Sequence, residues 1–475
     1  MLPSQSLSLS DFLAMSPLVI LLCGALLVLL VESFFEVFSK RFSFHITIVT
    51  IVLALWAALY APVSHNALLT PWLRFDTLAR FFDVLFLGIG LASAFLTAAF
   101  FKNFEASRGE YYFLLLSSLF GLLLIGYAND FLMIFLGIET VSIATYVLCG
   151  YMKEWKLSHE AALKYFFMGA LATAFFLYGI ALVYGAVGTT GFHSLLADYK
   201  KLSAVTDKAL FLAGIAFITT GLAFKASVVP FHVWAPDVYE GAPTPVTAFM
   251  AVGIKAGAFA AFAIIFLQVL PQFSATWSEA ASFLVYPTLI YANIVALRQV
   301  CLRRFFAYSG ISHAGFLLIP VIVGTPDALS ALKFYLVVYS IATLGAFAVI
   351  AFLDKRSQGV VLHDLFGLFR RAPLLAAILS LCVLTLAGIP PTVGFFAKFY
   401  VLKVAYQAGY YPLVFVGLLT AILAAYYYLR IIGVMFSEMP TEAKAPKYSW
   451  AAAAVGLVSF AALIILSFYP APLLT

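Results

Sequence analysis

The sequence predicts an all-α polytopic membrane protein of about fourteen transmembrane helices, with two five-helix inverted repeats and two broken helices. Three observations predict it. The 475 residues are 64% hydrophobic and only 10% charged, with a mean hydropathy of +1.06, whereas a soluble domain is about 25% charged. Apolar runs of about 20 residues, the length of a bilayer span, recur from end to end with short polar links between them. Two of these runs are each interrupted by proline and carry a lysine.

The spans fall near 14–36, 44–62, 76–101, 110–128, 130–151, 160–187, 209–229, 244–269, 279–298, 304–324, 328–353, 373–402, 411–436 and 449–470. They divide a single membrane domain, 1–475, into three leading helices (1–109), a first repeat (110–269), a second repeat (279–436) and a last helix (449–470). The longest link, 188–208, is too short for an extramembrane catalytic domain. Seventeen of the 27 lysines and arginines fall on one side of this arrangement and seven on the other, with three inside spans. The richer side is expected to be cytoplasmic, which places both termini outside. Trp72, Trp155, Trp234, Trp277 and Trp450 lie near span ends, where an interfacial aromatic belt would put them.

The net charge of +6 does not imply nucleic acid, because in a membrane protein the location of positive charge matters more than its total. Cys23, Cys149, Cys301 and Cys382 are scattered through apolar runs without metal-ligand spacing. They read as small buried residues.

The interrupted spans are the seventh, with Lys225 before Pro230, and the twelfth, with Pro390, Pro391 and Gly394 before Lys398. Proline has no N–H to donate and breaks a helix. Broken backbone survives at membrane depth only when buried in protein or lining a wet cavity. The two are five spans apart, so a five-span repeat would invert its second copy. Paired interruptions in corresponding positions point to inverted-repeat transport machinery.

Five ionisable side chains inside spans are the candidate site. A charge at the bilayer centre costs roughly 2.5–3.5 kcal/mol on insertion scales, so each needs a reason. Glu139, in FLMIFLGIETVSIATYVL, is either a protonated strut or the counter-charge of a lysine, Lys225 being the first buried one downstream. Lys225 lies near the end of its run, where its bland reading is snorkelling to an interface, but snorkelling needs no broken helix. Lys255 is about a dozen residues into its span, with no escape to an interface. Lys398 follows the second break. His313, in YSGISHAGFLLI, titrates near neutrality when unperturbed and suits a relay; its bland reading is a hydrogen-bonding strut. Tyr308, Ser309, Ser312 and Thr392 are candidates to hold water near it.

Weaker candidates lie at span ends. Lys164 reads as a proton-uptake group or a solvated loop charge. His232, Asp237 and Glu240 follow the first break and form either an access funnel or mere caps and turns. Glu32 and Glu36 share a helix face and read as a solvated or subunit-contact surface. GAVGTTG at 185–191 has no strand before it and is no dinucleotide fingerprint. No P-loop, paired haem histidines or iron–sulfur cysteines are present in the sequence.

At these same residues the chain resembles a known family. FKASVVPFHVWAPDVYEGAPTPVTAFMA, followed by Lys255, closely resembles the subunit N family of respiratory complex I, the proton-pumping NADH:quinone oxidoreductase. AGIPPTVGFFAKFYVLK and AYSGISHAGF resemble the twelfth- and tenth-span motifs of that family and its antiporter-like relatives. The lysine rather than glutamate in the twelfth span disfavours the other large antiporter-like subunits. The resemblance implies that Glu139, Lys225, Lys255, His313 and Lys398 carry protons, with no cofactor on this chain. NADH, FMN, iron–sulfur clusters and quinone are implied in partner subunits. It further implies neighbouring antiporter-like and small membrane subunits as partners, a bacterial inner membrane as location, and no nucleic acid. The alternative is a subunit of a multisubunit sodium/proton antiporter, which shares the twelfth-span string.

Overall fold

The computed structural model describes residues 7–34, 36–102, 104, 109–202, 204–271, 274–354, 359–438 and 449–470. The α-helices run in order α1 (Leu9–Phe34), α2 (Glu36–Tyr60), α3 (Thr77–Phe101), α4 (Gly109–Tyr127), α5 (Phe131–Cys149), α6 (Lys156–Val187) and α7 (Phe192–Lys201). Next come α8 (Val205–Ala226), α9 (Trp234–Gly241), α10 (Thr244–Phe249), α11 (Lys255–Phe262), α12 (Ser274–Ala296) and α13 (Leu302–Val323). The last are α14 (Pro326–Leu353), α15 (Leu368–Arg371), α16 (Pro373–Ala387), α17 (Val393–Gln407), α18 (Tyr411–Phe436) and α19 (Trp450–Phe468). The described residues contain isolated bridges but no strand. Among them, twelve helices are long and apolar enough to cross a membrane, and two shorter apolar helices lie at Ala281–Ala296 and Pro373–Ala387.

The helices are not equal in depth. The most apolar stretch of α13 is wholly buried inside the protein, whereas only 33% of the corresponding stretch of α6 or α18 is. An apolar helix that keeps most of its surface outward leaves that surface to lipid or to neighbouring membrane subunits. The inner helices are therefore α13, α14 and the continuous helix Thr244–Val269, and these carry Lys255 and His313.

Both interrupted spans break by one device. At the end of α8, Ser227 adopts a left-handed conformation (φ 60°), and the Val228 N–H returns to the Ala223 carbonyl. At the end of α16, Gly388 does the same (φ 78°), and the Ile389 N–H returns to Leu384 O. This six-to-one bond defines the Schellman cap, and the prolines that follow prevent the helix from resuming. Glycine makes the second cap easily; Ser227 makes the first without that freedom. The predicted single interrupted span 373–402 is thus two helices, α16 and α17, with Lys398 in the second.

Lys255 sits where the helix changes gauge. Met250–Ile254 before α11 and Ala263–Val269 after it are π-helical, a local widening that is common at functional positions.

Three expectations change. Cys23, read as a small buried residue, is exposed, and Cys301 is only partly buried. The stretch 188–208, read as a plain link, contains the helix α7. Trp234, read as an interfacial anchor, is 1% exposed. Its Nε1 donates to Phe224 O at 2.9 Å, a second bond to a carbonyl that also accepts from Ser227 N in the cap, and it stacks on Tyr165 with centroids 4.5 Å apart. Trp72 and Trp450 are exposed, as a belt requires.

Gly394 sets how closely the two halves of the second broken span approach. A Cβ there would lie 1.7 Å from the Thr385 carbonyl oxygen, a backbone atom that cannot swing away. Gly394→Ala is expected to destabilise the fold by about 3 kcal/mol or more and to lower the yield of assembled protein in membranes. Unchanged yield and melting temperature would show that α16 and α17 separate freely.

Candidate functional site

The first cluster joins α5, α6 and α8. Glu139, Ser142 and Tyr146 are spaced three and seven residues apart on α5 and therefore share a face. Glu139 Oε1 accepts from Thr173 Oγ1 of α6 at 2.7 Å. Lys225 Nζ donates to Ser142 Oγ at 2.7 Å and to Tyr146 OH at 3.2 Å, and lies 5.3 Å from the Tyr146 ring centroid. Lys225 is 4% exposed, so it does not snorkel. Among the described residues it forms no direct ion pair with Glu139; the carboxylate sits one turn away on the same helix face.

The second cluster joins Lys255 to α13 and α14. Lys255 Nζ donates to Gly310 O at 2.5 Å. Tyr339 OH donates to Ala251 O, in the π-helical stretch, at 3.0 Å, and the Lys255 amine lies 5.8 Å from the Tyr339 ring centroid. One turn along α13, His313 has partners on both ring nitrogens: Nδ1 with Tyr335 OH at 2.8 Å and Nε2 with Tyr428 OH at 3.2 Å. Tyr428 OH also bonds Ser309 Oγ. A neutral imidazole needs one donor and one acceptor, and a hydroxyl can be either, so this setting accepts both tautomers.

The third cluster is at the second break. Lys398 Nζ donates to Ala387 O, the terminal carbonyl of α16, at 2.7 Å, and lies 5.2 Å from the Phe316 ring centroid. A cavity of ≈ 10 Å³ is lined by His313, Tyr335, Tyr339, Thr385 and Lys398. That is room for about one water between the imidazole and the amine. The structure thus groups Lys255, His313 and Lys398 around α13, with Glu139 and Lys225 in a cluster of their own.

A fourth group lies at the mouth of the first break. Lys164 Nζ meets Glu160 Oε1 and Asp237 Oδ2, each at 2.7 Å; Arg304 Nη1 meets Asp237 Oδ1 and Glu240 Oε2, each at 2.8 Å. These side chains line a cleft of ≈ 120 Å³. Lys164 is therefore tied to α9 by an ion pair. Burial alone would raise the Asp237 carboxyl, but its bonds to Lys164 and Arg304 outweigh that and hold it below the usual carboxylate range. His232 stands apart, packed edge-on against Tyr291 at 4.9 Å.

Of the minor candidates, only Ser309 joins the histidine network directly. Ser312 accepts from Asn293 Nδ2, Thr392 bonds Ile389 O within the break, and Tyr308 packs near Tyr291. Glu32 Oε2 accepts from Gly109 N at 2.9 Å, which docks α1 on α4; the Glu36 side chain lies outside the described residues. Sequence reasoning missed Ser142, Tyr146 and Thr173, and the tyrosines 335, 339 and 428. The register of Ser142 and Tyr146 with Glu139 was a usable signal for two of them.

Residues 128–424 match the transmembrane family of the NADH:quinone oxidoreductase and the Mrp antiporter. The chain belongs to this family. A NADH-quinone oxidoreductase subunit N from Protochlamydia amoebophila is 61% identical over 473 residues, covering 99% of this chain and 98% of the relative. A chain of respiratory complex I from Thermus thermophilus superposes with a TM-score of 0.81 at 33% identity, covering 96% of this chain and 98% of that one. A chain of the Mrp complex from Dietzia superposes with a TM-score of 0.86 at 22% identity, which is likeness of fold alone. The chain is a homologue of complex I subunit N and a multi-pass, antiporter-like membrane protein. Among the described residues, no group of three or more His, Cys, Asp or Glu converges as metal ligands would.

The Asp237 contacts have a testable sign. A carboxyl held low in the folded state stabilises it above the unfolded value of about 3.9 and loses that effect as pH falls through the folded value. Removing Arg304 as Arg304→Gln should move the loss to higher pH. Hydrogen exchange at residues 227–243, followed from neutral to acid pH, should show earlier opening in the variant. Identical profiles would mean that the pairs do not hold α9.

Proposed function

We propose that the chain is the proton-translocating membrane subunit N of a bacterial NADH:quinone oxidoreductase. Protons would move along Glu139, Lys225, Lys255, His313 and Lys398. The observation that carries this reading is the placement of three buried lysines on neutral oxygens next to the helix breaks and the π-helical stretch. Burial disfavours an ammonium and a nearby carboxylate favours it. A small change in the distance between Glu139 and the Lys225 amine therefore loads or unloads that amine. Transfer then runs through Lys255 to the α13 histidine, across the one-water cavity to Lys398, and out.

The same reading has fourteen spans, the two shorter apolar helices completing the count, and two five-helix inverted repeats. The shared Schellman cap at both breaks supports the repeat. Both termini would lie on the outer side of the inner membrane. Partner membrane subunits would flank the lipid-facing helices. NADH, FMN, iron–sulfur clusters and quinone would be held by other subunits, and a conformational or electrostatic signal from them would drive the cycle.

The Mrp-like fold sustains a second reading, a subunit of a sodium/proton antiporter. Proteins recovered with the native assembly decide between them: quinone-reductase subunits support the first reading, small antiporter subunits the second.

Lys225→Ala, Lys255→Ala and Glu139→Ala are each expected to reduce proton translocation on the order of a hundredfold in an assembled complex. Proton release per quinone reduced, measured in vesicles, checks this. Near-normal ratios in all three would remove the proposed roles.

A further inference from the structure

Asp83 is a buried acid that the lysine relay does not use. It lies in the second turn of α3 and is 2% exposed. Its Oδ2 accepts from Tyr127 OH of α4, and its Oδ1 has no hydrogen-bond partner. No cation pairs with it among the described residues. Arg80, one turn earlier, gives its guanidinium to the Ala61 carbonyl instead. Asp76 caps α3 through Ala79 N and faces Arg74 at 3.7 Å.

On α2 and α4, which pack on α3, the charged and imidazole residues Glu36, Lys40, Arg41, His45 and Glu110 fall toward the helix ends remote from Ala58 and Tyr127, which line the Asp83 cavity. On α1, Asp11 is occupied by Ser8, Ser64 and Asn66. On α14, Lys333 lies over the ring of Phe81. Helices α10 and α19, which also pack on α3, carry no charged residue.

An isolated carboxylate so buried takes up a proton rather than remain charged. A protonated carboxyl has one O–H donor and keeps acceptor capacity on its other oxygen. Oδ2 already accepts. Asp83 lines, with Ala14, Ala61, Asp76, Arg80 and Tyr127, a cavity of ≈ 10 Å³, room for about one water. The Asp76 side chain, which lines the same cavity, is 37% exposed.

We propose that Asp83 is a proton-binding site, separate from the lysine relay, that exchanges its proton with water at the N-terminal end of α3. The step moves one proton from Oδ1 to water in the cleft, leaving a carboxylate held by Tyr127 and a hydronium; no electron moves. The proposal does not rest on the function proposed above.

Infrared spectroscopy of the assembled complex tests it, comparing wild type with Asp83→Asn and Tyr127→Phe in H2O and D2O. The expected result is a carboxylic-acid C=O band at neutral pH that shifts in D2O and fades reversibly as pH rises. It should be absent from Asp83→Asn and displaced in Tyr127→Phe. The same acid band persisting in Asp83→Asn would overturn the proposal. So would a band indifferent to D2O and pH, or one lost on adding sodium at fixed pH and ionic strength, which would mark a metal-cation site. If Asp83→Asn does not assemble, Tyr127→Phe decides alone: an undisplaced band overturns the proposal.

Discussion

The structure depends on one constraint: a backbone polar group inside a bilayer must find a partner in the protein. Breaking a helix at that depth leaves carbonyls without intrahelical donors. The chain breaks two spans and supplies a named donor at each. Phe224 O receives the Trp234 indole, and Ala387 O receives the Lys398 ammonium. Gly310 O, inside α13, receives Lys255. Two of the buried lysines are thus also hydrogen-bond partners of the backbone. Ala387 O ends a helix, where the dipole is negative and favours a cation. The break that looks like damage to α16 is what makes its lysine tolerable.

The choice of neutral partners follows from the same setting. A buried ion pair fixes both charges, and removing either charge leaves the other uncompensated. A carbonyl or hydroxyl partner accepts from an ammonium and also from a neutral amine. Lys225 on Ser142 and Tyr146, Lys255 on Gly310 and Lys398 on Ala387 can therefore change charge without losing their hydrogen bonds. At the cleft, by contrast, Lys164 and Arg304 are locked to Asp237 and Glu240. Those pairs link α6 and α13 to α9 and suit a role in holding geometry. The molecule uses ion pairs at the cleft and sets its buried lysines on neutral oxygens, as the proposed relay requires.

Much of this was legible in the sequence because charge is so rare in it. Glu139, Lys225, Lys255, His313 and Lys398 stand out in apolar runs, and the prolines mark the breaks. The partners were not legible. Tyr335, Tyr339 and Tyr428 sit in runs rich in other aromatics, and nothing in periodicity separates a buried hydroxyl from a lipid-facing one. Trp234 misled for the related reason that a tryptophan at a span end usually marks an interface; the broken helix gives its N–H an inner use. Asp83 was missed because Asp76 and Arg80 close by make that stretch read as a charged span end. Only tertiary packing shows that Arg80 gives its hydrogen bond to Ala61 and that one Asp83 oxygen is left without a hydrogen bond. The π-helical turns beside Lys255 have no sequence mark at all.

The two breaks share a cap and differ in what it serves. In the first, Lys225 precedes the cap and points away from it to α5, and an indole adds a bond to the cap carbonyl Phe224 O. In the second, Lys398 follows the prolines and turns back onto the cap. An amine reached from the far side of a break spans it, so any opening between α16 and α17 must stretch the bond to Ala387 O. The first lysine feels no such coupling; its charge answers to Glu139 on α5. Movement of α5 against α8 would therefore act on Lys225, and movement of α17 against α16 on Lys398. With Lys255 on the buried helix Thr244–Val269 and His313 on the fully buried α13, the ends of the proposed relay are its adjustable parts and its middle is the fixed one.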